Sequence, residues 1–470
     1  MVPERLAAVL AELAPVAERF EAAGRRLYLV GGTVRDLLLG RPVDEIDIDL
    51  TTDARPDETE ALVRPIAESV WLQGKRFGTI GCKVEGRTLE ITTHRAEAYR
   101  PDSRKPEVRF ADAVEADLSR RDFSVNAMAL RLSRQATAEG AVLIDPFDGA
   151  ADLATGRLRT PLDPETSFTD DPLRMLRAAR FIAGYGLRPD GDLVAAVRVL
   201  HDRLEIVSAE RIRDELDRLL LVDRPGAGLW FLVDTGLAGE FLPELVALAL
   251  AQDPGHRHKD VLAHTVAVVE RAPADRILRL AALFHDVGKP KTRSFEPGGR
   301  VTFHHHEVVG ARMTRERMAA LRYPADDIEQ VSRLVELHLR FHGYDEGEGG
   351  WTDSAVRRYA RDAGSLLDQL NELTRADCTT RNRRRAAELA ARMDRLEARI
   401  EVLRQSEELA ALRPDLDGHQ VMQHLGVGPG PVVGDALAFL KELRIEEGPV
   451  GEEEARRRLD RWWSERTGPA

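Results

Sequence analysis

Cysteine is nearly absent: Cys82 and Cys378 are the only two in 470 residues. They are too few and too distant for a disulfide framework, which fits a reducing compartment and predicts a cytoplasmic protein. No run of about twenty apolar residues occurs, so no membrane-spanning helix and no membrane partner are expected. The opening stretch MVPERLAAVLAELAPVAERF carries acidic residues within an amphipathic helical period. That argues for a helix over 1–22 and against a signal peptide. No repeat of fixed period is present. A basic excess is also missing, since 68 Lys and Arg against 80 Asp and Glu leave a net charge of −12. This weighs against gripping nucleic acid with the whole surface, but not against local recognition. Arginine clusters at 381–385 (RNRRR) and in the series Arg174, Arg177, Arg180.

At this length the chain exceeds a single core. From Arg25 to about Ala129, strand signals (27–30, 46–51, 79–84, 88–93) alternate with helical segments, as in a mixed α/β unit. The turn formers of LIDPFDGAAD (143–152) close that unit. From about Asp163 strand signals nearly vanish and helix follows helix. The predicted fold is an α+β head with a mixed sheet (1–155), then a helical neck (156–250), a helical body (251–380) and a helical tail (381–470). Within the tail, GVGPGPVVG (426–434) offers backbone amides that can meet RNA phosphates.

The segment EIDIDLTT (45–52) is the richest in chemistry. Ile46, Ile48 and Leu50 alternate with acidic residues, so it reads as a strand with one apolar and one charged face. The period of two points the carboxylates of Asp47 and Asp49 to the same side. Two such charges repel unless a cation sits between them, and hard oxygen ligands suit Mg²⁺. Just upstream stands LVGGTVRDLLLG, where Gly31 and Gly32 bend the chain between a strand, 27–30, and a helix, 33–39. Free amides at such a helix start can hold phosphate. Metal carboxylates beside a phosphate cradle point to nucleotide chemistry.

Three further segments extend the pattern. In TLEITTHR (88–95), Glu90 falls in a strand able to pair beside Asp47 and Asp49, a candidate third carboxylate. In RRDFSVNAMAL (120–130), Arg120, Arg121 and Asp122 precede an apolar-periodic stretch, with Asp122 placed like a helix N-cap. Arginines at a helix start oppose the macrodipole, and a bound triphosphate would explain them better. In TDDPLRMLRAARF (169–181), a helix capped by Thr169 or Asp170 would carry Asp171, Arg174, Arg177 and Arg180 as one polar stripe. Asp171 beside Arg174 presents an acceptor and then donors. That pair matches the Watson–Crick edges of cytosine and adenine and opposes those of uracil and guanine.

Together LVGGTVRDLLLG, DIDLTT, RRDFSVNAMA, DPFDGAADL and DDPLRMLRAARF resemble the class II nucleotidyltransferases, the tRNA CCA-adding enzymes and bacterial poly(A) polymerases, over roughly 25–185. The resemblance implies that Asp47 and Asp49 form the catalytic, metal-holding pair, beside which Glu90 stays the candidate third catalytic carboxylate. It implies that Gly31, Gly32 and Arg35 form the phosphate loop, and that Arg121, with Asp122 and Asn126 of the same motif, serves the nucleotide. Asp171 and Arg174 would read the base while Arg177 and Arg180 line it. The family usually has glutamate where Asp170 stands here. GKRFGTIG (74–81), with Phe-Gly-Thr, is similar to the CCA-adding branch, whereas poly(A) polymerases more often have a basic residue at that glycine. The expected partners are tRNA, CTP and ATP, and the expected activity is addition of C, C and A. A poly(A) polymerase and a CC-adding enzyme stay open as alternatives; no protein partner is indicated.

A second constellation follows: His264, then His285 and Asp286 in LFHDVGK, His306 in FHHHEVVGA, His338 in ELHLRFH, and Asp377 in RADC. An aspartate inside LAALFHDVG is costly to bury unless coordinated or paired. The order resembles the HD phosphohydrolases over roughly 255–380. By that resemblance His264, His285, Asp286 and Asp377 hold one divalent metal, and His306 and His338 complete a second site. Imidazoles mixed with carboxylates suit Mn²⁺, Ni²⁺, Co²⁺ or Zn²⁺. A hydrolase that uses its N-terminal half only to grip RNA is the third alternative.

Overall fold

The computed structural model describes residues 2–41, 48–98, 107–134, 141–249, 261–295, 301–343, 351–379, 382–405 and 414–467. Asp47 and Arg381 lie outside the described residues. The chain divides into two compact units, Met1–Val246 and Ala247–Ala470.

The first unit begins with α1 (Val2–Ala22), β1 (Leu27–Val30), α2 (Gly32–Leu38), β2 (Ile48–Thr52) and α3 (Pro56–Val63). Then come β3 (Ser69–Trp71), β4 (Thr79–Val84), β5 (Arg87–Thr93), a hairpin of β6 (Arg95–Ala98) with β7 (Glu107–Phe110), α4 (Val114–Ser119), β8 (Ala129–Leu132) and β9 (Leu143–Ile144). Seven of these strands form one mixed sheet in the order β3-β4-β5-β2-β1-β8-β9. In it β2 and β5 run parallel, while β1 is antiparallel to β2 and β8. Alternation decides the two faces. Ile48, Leu50, Leu89, Ile91, Ile80 and Cys82 turn to one side, where Leu13, Val16 and Phe20 of α1 and Val63 of α3 cover them. Each such side chain, fully buried, contributes about 1.5–3 kcal/mol. The residues between them, Asp49 and Glu90, are exposed.

Two local expectations are corrected. The sequence predicts a helix start at Arg120–Asp122, but Arg120 instead closes α4, where arginine suits the negative end of the dipole. A single 3₁₀ turn, Ser124–Asn126, and then β8 follow, so Asp122 caps no helix. Phe123, Val125, Ala127, Met128 and Ala129 are buried all round, and that run of apolar residues imitates a helical period. Asp171 likewise lies outside any helix. After α5 (Gly149–Thr155), α6 (Pro164–Asp170) ends just before it, and α7 (Leu173–Tyr185) starts just after Pro172. Asp171 is extended, at φ −139° and ψ 97°, because a residue preceding proline avoids the helical region.

The second unit is helical apart from one small hairpin, Arg293–Phe295 with Val301–Phe303, among the described residues. Helices Val261–Arg271, Arg276–Phe284, His306–Ala320, Ala325–Leu337 and Leu367–Asp377 form its body. The long helix Arg383–Gln405 follows. Gly418–Leu425, Pro431–Glu447 and Glu452–Thr467 then close on their own core around Leu416, Val421, Ala436, Leu440 and Leu459. No helix among the described residues is long and apolar enough to cross a membrane.

Burial pushes the Cys82 thiol up to about 11, whereas Cys378 is half-buried. At pH 8, iodoacetamide is therefore expected to label Cys378 first and Cys82 only with unfolding, as read by peptide mass mapping. Equal native rates would contradict the covered sheet face.

Candidate active site and metal centre

In the head, the parallel pairing of β2 with β5 sets Asp49 directly opposite Glu90. Register partners share a face, so the two exposed carboxylates stand on neighbouring strands of that face, an arrangement that favours a cation nearby. Gly31 lies beside Asp49 with φ 70° and ψ −134°, a conformation that glycine alone adopts without strain. A Cβ there would stand 2.7 Å from the Arg121 guanidinium and 3.8 Å from Asp49 Oδ2. The missing side chain is thus what lets cation and carboxylate converge on one backbone turn. Arg121 is held from behind by Asp117, at 3.2 Å, which also pairs with Arg120.

A second, buried network runs from α2 to α7. Arg35 pairs with Asp36 at 2.7 Å and donates to Asn126 Oδ1 at 2.6 Å. Asn126 in turn donates to Asp122 Oδ1 at 3.0 Å, and Asp122 pairs with Arg177 at 2.7 Å. The Arg35 guanidinium also lies 4.1 Å from the centre of the Tyr185 ring, a cation–π contact. Burial works to raise the Asp122 carboxyl, but Arg177 and Asn126 outweigh it and hold it below the ordinary range. Asp117 is depressed in the same way, with Arg121 and Arg120 opposing burial.

The polar stripe expected on α7 is divided among partners. Arg174 is buried and donates to Ser167 Oγ at 2.8 Å and to the Arg120 carbonyl. Arg180 pairs with Glu215, and Asp171 with Arg211 at 3.2 Å. Asp171 and Arg174 therefore do not stand together as a ready acceptor–donor pair.

In the second unit, His264 Nε2 lies 2.9 Å from Asp377 Oδ1 and 3.3 Å from His285 Nε2. His285 Nε2 is 3.2 Å from Asp286 Oδ2, and His306 Nε2 is 3.5 Å from Asp286 Oδ1. The donor atoms fall into two groups that share Asp286: His264, His285, Asp286, and Asp286, His306, His338. Backbone carbonyls fix the tautomers. Nδ1 of His285, His306 and His338 lies at 2.7, 2.8 and 2.6 Å from the carbonyls of Ala282, Phe303 and Val335. With Nδ1–H donating there, Nε2 of His306 and His338 keeps its lone pair for the centre, while that of His285 faces Asp286. Those of His306 and His338 are buried and make no hydrogen bond. Burial, then His285 nearby, brings His338 down to about 3, so its ring is neutral and able to ligate. Burial opposes the charge on His285 too, but Asp286 prevails and raises it. Orphaned nitrogens facing carboxylates fit a divalent ion.

Residues 27–159 match the poly A polymerase head domain, 186–248 the probable RNA and SrmB-binding site of polymerase A, and 245–400 the HD domain. The chain is 35% identical over 451 residues to a CC-adding tRNA nucleotidyltransferase of Thermus thermophilus, spanning 93% of each chain. It is 37% identical over 372 residues to an A-adding tRNA nucleotidyltransferase of Deinococcus radiodurans, spanning 76% of this chain and 81% of that one. The chain belongs to the class II tRNA nucleotidyltransferase family. Its fold matches that of a Bacillus stearothermophilus CCA-adding enzyme solved with CTP, at a TM-score of 0.68 and 23% identity, over 97% of this chain and 98% of that one. Head and HD domains of this family's kind work with divalent metal ions, and the described residues include His and Asp groups able to hold them.

Several residues of these centres were not foreseen. Asp117 stands three and four positions before Arg120 and Arg121 on one helical turn, a spacing that signals ion pairs. Lys289, three after Asp286, pairs with it at 2.6 Å. Arg211 and Tyr185 carried no signal, because their partners are remote in sequence.

Removing one partner of a buried charge pair costs about 3–5 kcal/mol. Asp122→Ala is therefore expected to lower unfolding free energy by about 3 kcal/mol, read by urea denaturation. Asp117 and Asp122 have depressed folded values, so their contribution is complete above the unfolded carboxylate range, about 3.9. It is lost as pH falls through the folded values. Melting temperature should drop on acidification below about pH 4, and Asp122→Asn should flatten that drop.

Proposed function

We propose that the chain rebuilds the 3′ end of tRNA, adding C, C and A from CTP and ATP with release of pyrophosphate. The carrying observation is the Asp49–Glu90 pair with Arg121 wedged against Gly31. A carboxylate and a guanidinium able to meet phosphate converge there on one backbone turn. In the step itself the tRNA 3′-hydroxyl attacks the α-phosphorus, a new P–O bond forms and the α–β bridge breaks. Mg²⁺ ions held by Asp47, Asp49 and Glu90 would neutralise charge on the attacking and leaving oxygens. Arg121, fixed by Asp117, offsets the triphosphate charge, and the Gly31–Gly32 backbone gives it room. Little covalent work falls to the protein, so positioning carries the rate.

Base choice rests on Asp171 as acceptor and Arg174 as donor, with Arg177 and Arg180 lining the nucleotide. Asp171 pairs with Arg211, and its carboxylate has further acceptor sites to offer a base. Selecting the two bases then follows from the cost of setting acceptor against acceptor. The metal-ligand set of the HD domain supports a second activity, hydrolysis of a 2′,3′-cyclic phosphate or terminal phosphate on RNA with Mn²⁺, Ni²⁺, Co²⁺ or Zn²⁺. The orphaned Nε2 atoms of His306 and His338 favour it. Two free cysteines and a tRNA substrate fit the cytoplasm.

The deciding assay incubates tRNA lacking its 3′ CCA with CTP, ATP or both, and sequences the products. Ordered C, C and A is expected. Addition of C, C alone, of A only to a tRNA ending in CC, or of long A tails would replace this reading by the corresponding narrower one. Asp49→Ala should abolish incorporation and leave the melting temperature unchanged, since the side chain is exposed. Turnover near that of the unaltered chain would remove the metal assignment. Arg174→Ala should relax discrimination against UTP more than it raises KM for CTP, as measured by competition between the two. For the HD centre, cyclic-phosphate hydrolysis with Ni²⁺ or Mn²⁺ should vanish in Asp286→Asn, and a chain inert across metals would refute the second activity.

A further inference from the structure

Cross-strand pairing extends the Asp49–Glu90 row to the edge of the sheet. Glu90 is paired with Gly81 of β4, and Gly81 with Trp71 of β3. All four positions share one face. Val70, one residue before Trp71, packs toward the covered core, so Trp71 belongs to the face that carries the carboxylates. Its indole fills the space that a side chain at position 81 would need. A Cβ on Gly81 would lie 2.0 Å from Trp71 Nε1 and 2.5 Å from its Cδ1. The half-buried ring thus reclines over Gly81, one strand spacing, about 4.8 Å, from the row position of Glu90. Two residues along the same face of β4, Arg95 donates to Thr79 Oγ1 at 2.8 Å, which sets a guanidinium on the face that carries the indole.

The row has a direction. Gly31 and Arg121 stand on the β1 side of Asp49, while Gly81 and Trp71 stand on the opposite side, beyond Glu90. In-line displacement at phosphorus brings nucleophile and leaving group from opposite sides. If the triphosphate lies against Arg121, the attacking 3′-hydroxyl arrives from the side of Glu90 and Trp71. We propose that the Trp71 indole, laid flat by Gly81, is the stacking platform for the 3′-terminal base of the acceptor RNA, with Arg95 as cation for the adjoining phosphate. Stacking suits this task because each base has a π face, so one platform accepts whichever nucleotide ends the chain at successive additions. This assignment rests on the nucleotidyl-transfer reading above.

The test uses the full chain and a tRNA acceptor minihelix lacking CCA. Trp71→Ala is expected to raise KM for the minihelix about fivefold to a hundredfold, with KM for CTP unchanged. Trp71→Phe, which keeps a ring, should retain most of the affinity. Without nucleotide, the minihelix should quench tryptophan emission of the unaltered chain, and Trp71→Phe should remove that component. A rise in KM for CTP instead, or quenching that persists in Trp71→Phe, overturns the proposal. Should the unaltered chain add no nucleotide at all, the transfer reading falls, and the fluorescence titration alone decides the fate of the platform.

Discussion

Two carboxylates facing each other across neighbouring strands repel, and the head is built to hold them there. The parallel register of β2 with β5 is locked by hydrogen bonds and by the covered face beneath, where Ile48, Leu50, Leu89 and Ile91 are buried. Slipping either strand by one residue would drive the acids into that core. The hydrophobic face thereby fixes where the charged one stands. Gly31 depends on the same register, since its tight turn brings Arg121 within reach of Asp49 only while β1 stays paired with β2.

Behind this surface the charges are arranged on another principle. Arg35, Asn126, Asp122 and Arg177 form one buried chain in which almost every group has a partner of opposite character. Such a network adds little net stability over apolar packing, but it admits few alternative geometries. It ties the helix after the glycine turn to α7. Arg174 strengthens the coupling by reaching the carbonyl of Arg120, next to Arg121.

The HD centre uses a third device. Three of its histidines, His285, His306 and His338, are oriented by carbonyls three residues back along the chain, and His264 by the Thr379 hydroxyl. The rings of these residues are oriented before any ion arrives, so much of the ordering entropy is met during folding. Asp286 is deprotonated and shared by both ligand groups, and Lys289 and His285 hold its charge in the meantime.

Much of this was legible in the sequence. The alternation in EIDIDLTT and TLEITT is a local property, and it alone placed acids on one face and core on the other. The mixed sheet, the helical remainder and the ordered His and Asp series were legible for the same reason, as was kinship with the nucleotidyltransferases. Sequence reasoning failed at RRDFSVNAMAL, where burial on all sides mimicked a helix, and at Asp171, where the following proline forced an extended break. It also had no means of pairing Asp171 with Arg211 or of laying Trp71 across Gly81. Residue types and their periods follow from short-range sterics and hydrophobicity, and those the chain by itself determined. Which side chain answers which across the sheet depends on strand order and register, long-range pairings that exist only once the tertiary structure has closed.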